Sequence, residues 1–249
     1  MRLGALTIDE RYCGPNGSGH GGYVSGLLAG FASEPVTIRI RRPIPLATPL
    51  EVSGDAEGGL ELRAGAELIA DAEPETLNLA VPDPVGYAQA EELSRGFTGF
   101  MRHHTPRCFG CGTERSDGLR IYAGPDSATG RVVSPWRPDP KLAGTRGRVR
   151  PEYLWAALDC PGYFALGIPG IALTGSLALE MSRAAEVGEP CVVMGWTIAS
   201  EGRRHSVGTA LYGADGACIA RCRSLWVEPR EATQPRSWPP PRSPSPRAE

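Results

Sequence analysis

Asp159 lies inside the run Trp155-Ala156-Ala157-Leu158-Asp159-Cys160. An acid in so apolar a stretch is out of place on a solvated helix face, and once buried it would titrate above the usual carboxylate range, as a general base does. The structural alternative is a helix-breaking or capping Asp two residues ahead of Pro161. Near the other end of the chain, Gly17 to Tyr23 reads Gly-Ser-Gly-His-Gly-Gly-Tyr and feeds a helix expected from about Tyr23 to Phe31. Gly21 and Gly22 would let a carbonyl approach backbone amides at a helix start, where the dipole favours negative charge. A tight turn against a neighbouring element explains the same glycines equally well. His20, just before them, suits the orientation of a water or a carbonyl, or a plain turn bonded to the local backbone. No carboxylate stands between His20 and Ser33, so any acid serving this helix must come from elsewhere. A carboxylate with oriented amides is equipment for bringing water to a carbonyl and holding the oxyanion that forms.

The segment Cys108-Phe109-Gly110-Cys111 carries half the ligand set of a zinc site, with His103 and His104 close upstream. Its completion needs a ligand from afar, Cys13 or Cys160, because no second Cys-x-x-Cys exists. A packed structural loop is the preferred reading, a zinc site on Cys108, Cys111 and His104 comes second, and a redox pair third. Seven cysteines, an odd number spread through apolar contexts, fit reduced thiols rather than a disulfide framework.

Two stretches of chain share one order of elements. In the first, the glycine-rich turn and helix lead to alternating strand patterns near 36–42, 48–56, 60–70 and 75–81. In the second, a strand near 119–122 and a Pro- and Gly-rich loop precede a helix from Pro151, a favoured first-turn proline followed by Glu152. Strands follow near 171–182, 190–200, 204–213 and 217–227. Glu57-Gly58 answers Glu201-Gly202, and Pro49 answers Pro190. The expected organisation is a first unit over 1–81, a linker over 82–118 with a short helix around 88–94, a second unit over 119–228, and a disordered Pro-, Ser- and Arg-rich tail over 229–249. One supersecondary unit used twice permits a composite site between the copies.

Net charge is −2 and nearly all the positive charge is Arg, Lys141 being the only lysine. No basic surface predicts nucleic acid, no run approaches membrane-spanning length, and no charged leader precedes an apolar core, so a cytoplasmic protein binding a small molecule is expected.

The helix-then-strands order, the Gly-His-Gly-Gly turn, and Cys108-Phe109-Gly110-Cys111-Gly112 followed by Gly118-Leu119-Arg120 resemble hotdog-fold proteins of the thioesterase superfamily. The resemblance spans roughly residues 1 to 228. It implies an α+β double hotdog of two antiparallel sheets, each wrapping a central helix, that cleaves an acyl-CoA-like thioester. No cofactor of its own is implied, since coenzyme A enters as part of the substrate. On this comparison Asp159 is the base or nucleophile, Thr174 or Ser176 supplies a hydroxyl, and Gly21 and Gly22 supply the oxyanion amides. Arg203, Arg204 and Arg223 are candidates for the coenzyme A phosphates, with Arg204 taken first. The Gln that such thioesterases carry on a late strand is missing, and Arg221, Arg223 and Ser224 stand there instead. A non-catalytic acyl or acyl-CoA binding protein is the alternative, and a hydratase ranks last for want of Asp-x-Asn-Pro-x-His. Association with a second copy would run through sheet edges.

Overall fold

The computed structural model describes residues 1–230, so all but the first two positions of the expected tail lie outside the described residues. Eleven strands form one continuous antiparallel sheet. The first half contributes β1 (Arg2–Thr7), β2 (Val36–Ile40), β3 (Pro49–Gly54), β4 (Leu60–Ala64) and β5 (Glu67–Pro74). The second contributes β6 (Gly124–Asp126), β7 (Arg131–Trp136), β8 (Leu173–Met181), β9 (Cys191–Glu201), β10 (Arg204–Tyr212) and β11 (Cys218–Val227). Their spatial order is β1-β3-β4-β5-β2-β8-β11-β10-β9-β7-β6. The expected two sheets are therefore fused. β2 pairs with β8 through Thr37 with Ala178, Ile38 with Leu177 and Arg39 with Ser176. Two inner edges that would otherwise present unpaired backbone groups satisfy each other there.

Helix α1 (Gly21–Ala29), helix α2 (Tyr87–Ser94) and helix α3 (Pro151–Ala165) complete the fold. Each long helix is introduced by the same lead-in. Asp9 and Asp139 each cap a single 3-10 turn, Glu10–Tyr12 and Pro140–Leu142, by accepting from the backbone two residues on. A second short turn follows, closed by Gly14 N–H to Ser18 O in one half and Gly144 N–H to Arg148 O in the other, both 2.7 Å. Each helix cap, His20 or Arg150, then donates its amide to Tyr12 or Leu142. This repetition of backbone geometry is closer than that of the residues.

Helices α1 and α3 cross at Gly22 and Gly26, one turn apart on the same face. A Cβ on Gly22 would lie 2.5 Å from the Trp155 carbonyl oxygen, and one on Gly26 would lie 2.5 Å from Glu152 Cα. Only glycine allows that approach. Helix α3 is buried along most of its length and continues through Pro161. The proline lacks the N–H that would reach Ala157 O, and Thr209 Oγ1 donates to Leu158 O at 2.7 Å from the adjoining strand. The capping role weighed for Asp159 is thereby set aside, since the helix runs on past it.

Three strand expectations differ from the structure. Residues 75–81 alternate because Leu77 and Leu79 pack against Ala178 and Trp196, yet no ladder includes them. The 119–122 segment makes two backbone bonds, Leu119 N–H to Phe109 O and Ile121 N–H to Gly110 O, and stays outside the sheet. The run at 60–70 breaks at Gly65, whose φ of 58° turns a hairpin between β4 and β5. Among the described residues, no helix is long and apolar enough to cross a membrane.

Candidate active site

Asp159 projects from the middle of α3 toward the first turn of α1 and is 3 % exposed. Its Oδ2 accepts from the Gly22 amide and its Oδ1 from Thr174 Oγ1, each at 2.8 Å. Thr174 sits in β8, so one carboxylate ties together α1, α3 and the seam of the sheet. His20 Nδ1 lies 3.6 Å from Oδ2. Burial pushes the Asp159 carboxyl up, while His20, the Gly22 amide and the Thr174 hydroxyl pull it down, and the net shift is upward.

Asp159 lines a cavity of about 550 Å³ together with His20, Gly21 and Thr174. Its walls are largely apolar, with Ile40, Ile44, Tyr163, Phe164, Leu173 and Trp226 among them. Gly21 reaches this cavity while Gly22 turns its amide to Asp159, so the two glycines do different work. The Gly21 N–H has no intrahelical acceptor by its position in the first turn, and the Gly22 N–H is committed to the carboxylate. The oxyanion role read for both is thus open only to Gly21.

His20 caps α1, its Nδ1 accepting from Tyr23 N–H at 3.2 Å. Nε2 then carries the proton of a neutral ring and points at Cys160 Sγ, 3.4 Å away. Cys160 lies 3.6 Å from Cys108, and Cys111 completes the packed group of thiols. Hydrogen bonds from Cys111 and Cys160 hold Cys108 well below the usual thiol range against the effect of burial. The other two thiols are pushed up correspondingly. Burial lowers His20, but the Cys108 sulfur and Asp159 outweigh it and the net shift is upward.

The remaining candidates disperse. Arg204 lies in a separate hollow with Thr37, Glu75 and Arg223, away from Asp159, because residues on opposite sides of a strand face opposite sides of the sheet. Arg223 is paired with Glu75 there, and Arg221 with Glu180 at 3.0 Å. Arg203, together with Arg41 and Arg42, lines the Asp159 cavity instead. Ser176 faces the Arg204 hollow. His104 lines the cavity but bonds the Pro169 carbonyl at 3.2 Å, and His20 takes the place by the thiols expected for it. Sequence reasoning missed Ile40 and Trp226 as cavity walls, since strand alternation does not say which face meets a void.

Among solved structures, the tesB protein of Mycobacterium avium subs paratuberculosis superposes with a TM-score of 0.61 at 15% identity, covering 91% of this chain and 92% of that one. The chain has the hotdog fold. A protein of Thermobifida fusca proposed as a thioesterase II agrees, with a TM-score of 0.58, 16% identity, and coverage of 91% and 92%. No protein-family model and no curated sequence matches the chain. The likeness extends over both halves, and the Asp159 cavity lies between the start of α1 and the later part of α3.

Proposed function

We propose that this hotdog chain hydrolyses acyl thioesters of the acyl-CoA class, with Asp159 as the base that activates water. The observation that carries the reading is a single buried carboxylate, fixed by Gly22 and Thr174, at the wall of an apolar cavity of about 550 Å³. Such a cavity suits an acyl chain, which gains by leaving water. Arg41, Arg42 and Arg203 along the same cavity suit the phosphates of coenzyme A. Water bound beside Asp159 and Thr174 gives its proton to the carboxylate as it attacks the thioester carbon. The Gly21 N–H, aided by the helix dipole, receives the oxyanion. Collapse of the tetrahedral intermediate expels the thiolate, which takes the proton back from Asp159 and restores the base, and the carboxylic acid leaves. One composite site per chain follows, since α1 carries no acid and α3 opens on Pro151 and Glu152 rather than on glycines.

A binding protein without turnover is the second reading. It is favoured by the near-complete burial of Asp159, both of whose oxygens already accept a hydrogen bond. The test is to incubate the purified protein with a panel of acyl-CoA thioesters, following loss of thioester absorbance and, separately, equilibrium binding. Turnover supports hydrolysis. Saturable binding without turnover across the panel replaces it with the second reading, and neither signal removes both.

A further inference from the structure

We propose that His20, Cys108, Cys111 and Cys160 form a zinc site that pins the linker loop to both long helices. The ligands come from three separate parts of the chain, the cap of α1, the loop before β6, and the interior of α3. His20 Nε2 and the Cys108 and Cys160 sulfurs all lie within 4.8 Å of one another. The spacing is metric. With zinc at about 2.3 Å from sulfur and about 2.0 Å from nitrogen, a tetrahedron has edges of about 3.8 Å between sulfurs and about 3.5 Å between sulfur and nitrogen. The corresponding separations are 3.6 Å for Cys108 to Cys160 and 3.4 Å for Cys160 to His20 Nε2. Cys111 packs in the same buried cluster as the other two thiols but lies outside the set of three that shares the 4.8 Å span, so its side chain must turn inward to close the set as Cys₃His, the composition of structural rather than catalytic zinc.

The loop is shaped for this. Gly112 N–H bonds Cys108 O at 2.8 Å, folding Cys108 and Cys111 back toward the same side. Phe109 N–H bonds Cys13 O at 2.8 Å and anchors the loop beside the helix lead-in. A Cβ on Gly110 would stand 2.5 Å from Cys160 Sγ and 2.7 Å from His20 Nε2, so the loop backbone lies directly over the ligand atoms. Metal on Nε2 moves the ring proton to Nδ1, which faces Asp159 Oδ2 at 3.6 Å. The imidazole would then exchange its bond from Tyr23 N–H for one donated to a carboxylate, the usual second contact of a zinc-bound histidine. This inference goes beyond thioester hydrolysis and stands or falls without it.

The test uses the full chain, purified without chelator from medium supplemented with zinc sulfate. Elemental analysis is expected to give about one zinc per chain, and X-ray absorption a shell of three sulfurs and one nitrogen at the distances above. Cys218→Ser, far from the site, retains the metal, while Cys160→Ser and Gly110→Ala lose most of it with helical and sheet signals kept. EDTA lowers the melting temperature of the wild type and not of Cys160→Ser. Folded wild type with only trace zinc, an absorption shell without sulfur, or a Cys108–Cys160 disulfide found by mass spectrometry overturns the proposal.

Discussion

Substituting Gly22 by Ala perturbs the helix crossing and the carboxylate together. The added Cβ falls 2.5 Å from the Trp155 oxygen and 2.7 Å from Asp159 Cβ, where ordinary contact begins near 3.4 Å. Helices α1 and α3 must therefore part by about 0.9 Å, the difference between 3.4 and 2.5 Å. Such overpacking costs about 1–3 kcal/mol. Weakening the Gly22 bond to a charged group costs about another 1.5–3 kcal/mol, and the better helix propensity of Ala returns about 1 kcal/mol. A net loss of about 1.5–5 kcal/mol is expected in urea unfolding. Gly26→Ala is the matched control, with the same 2.5 Å approach but to Glu152 Cα and no bond to Asp159. It should lose only about 0–2 kcal/mol by the same sum without the hydrogen bond. Displacing the base by nearly 1 Å should reduce kcat/KM for an acyl-CoA by about 100-fold in Gly22→Ala, and by less than about 10-fold in Gly26→Ala. Equal stability and activity losses in the two variants would refute the separate role assigned to Gly22. Wild-type stability in both would refute the crossing itself.

Thr174→Val removes the hydroxyl that donates to Asp159 Oδ1. Loss of one hydrogen bond to a carboxylate, about 1.5–3 kcal/mol, predicts a roughly 10- to 100-fold fall in kcat with the fold intact, and an unchanged kcat would contradict it. Glu189 is held down to about 2 by Arg183, with the Glu186 and Ala214 amides helping against burial. Because its folded value is depressed from 4.5, its stabilisation is complete above that pH and is lost as pH falls toward 2. After allowance for the partly exposed Arg183, Glu189→Gln should cost about 1–2 kcal/mol at neutral pH. It should also flatten the acid limb of a stability profile, and an unaltered limb would count against the pair. Ile38→Ala at the β2 and β8 seam deletes a fully buried side chain opposite Leu177. About 2–5 kcal/mol should disappear from a urea midpoint analysis, whereas a loss under about 1 kcal/mol would mean the seam is not part of the shared core.

The two-helix plan was legible because its signals are local. Pro151 with Glu152 marked the start of α3, and the glycines of α1 announced a close approach that Gly22 and Gly26 make. Asp159 stood out as a charge in an apolar run, and the structure brings it to Thr174 and His20. Gly22 was read as an oxyanion donor because spacing shows that an amide is at a helix start, not which acceptor is already there. Strand β1 escaped notice because an outer strand is mostly exposed and carries little alternation, and β7 because Pro135 suggested a loop. The matching lead-ins went unread because Asp9 and Asp139 share a capping role while their neighbours differ. His20 was not placed with the cysteines, since a helix cap, a loop and a helix interior meet only through tertiary packing.

The central claim is that Asp159 activates water, and the kcat of Asp159→Asn on the best acyl-CoA substrate tests it most directly. The amide keeps the side chain's volume and, with its oxygen accepting from the Gly22 amide and its NH2 donating to Thr174 Oγ1, keeps both contacts, but it cannot take a proton from water. General-base catalysis is worth about 10²- to 10⁴-fold, so kcat should fall by at least about 100-fold while acyl-CoA binding and the unfolding midpoint stay close to wild type. A folded Asp159→Asn protein with wild-type kcat would contradict the account.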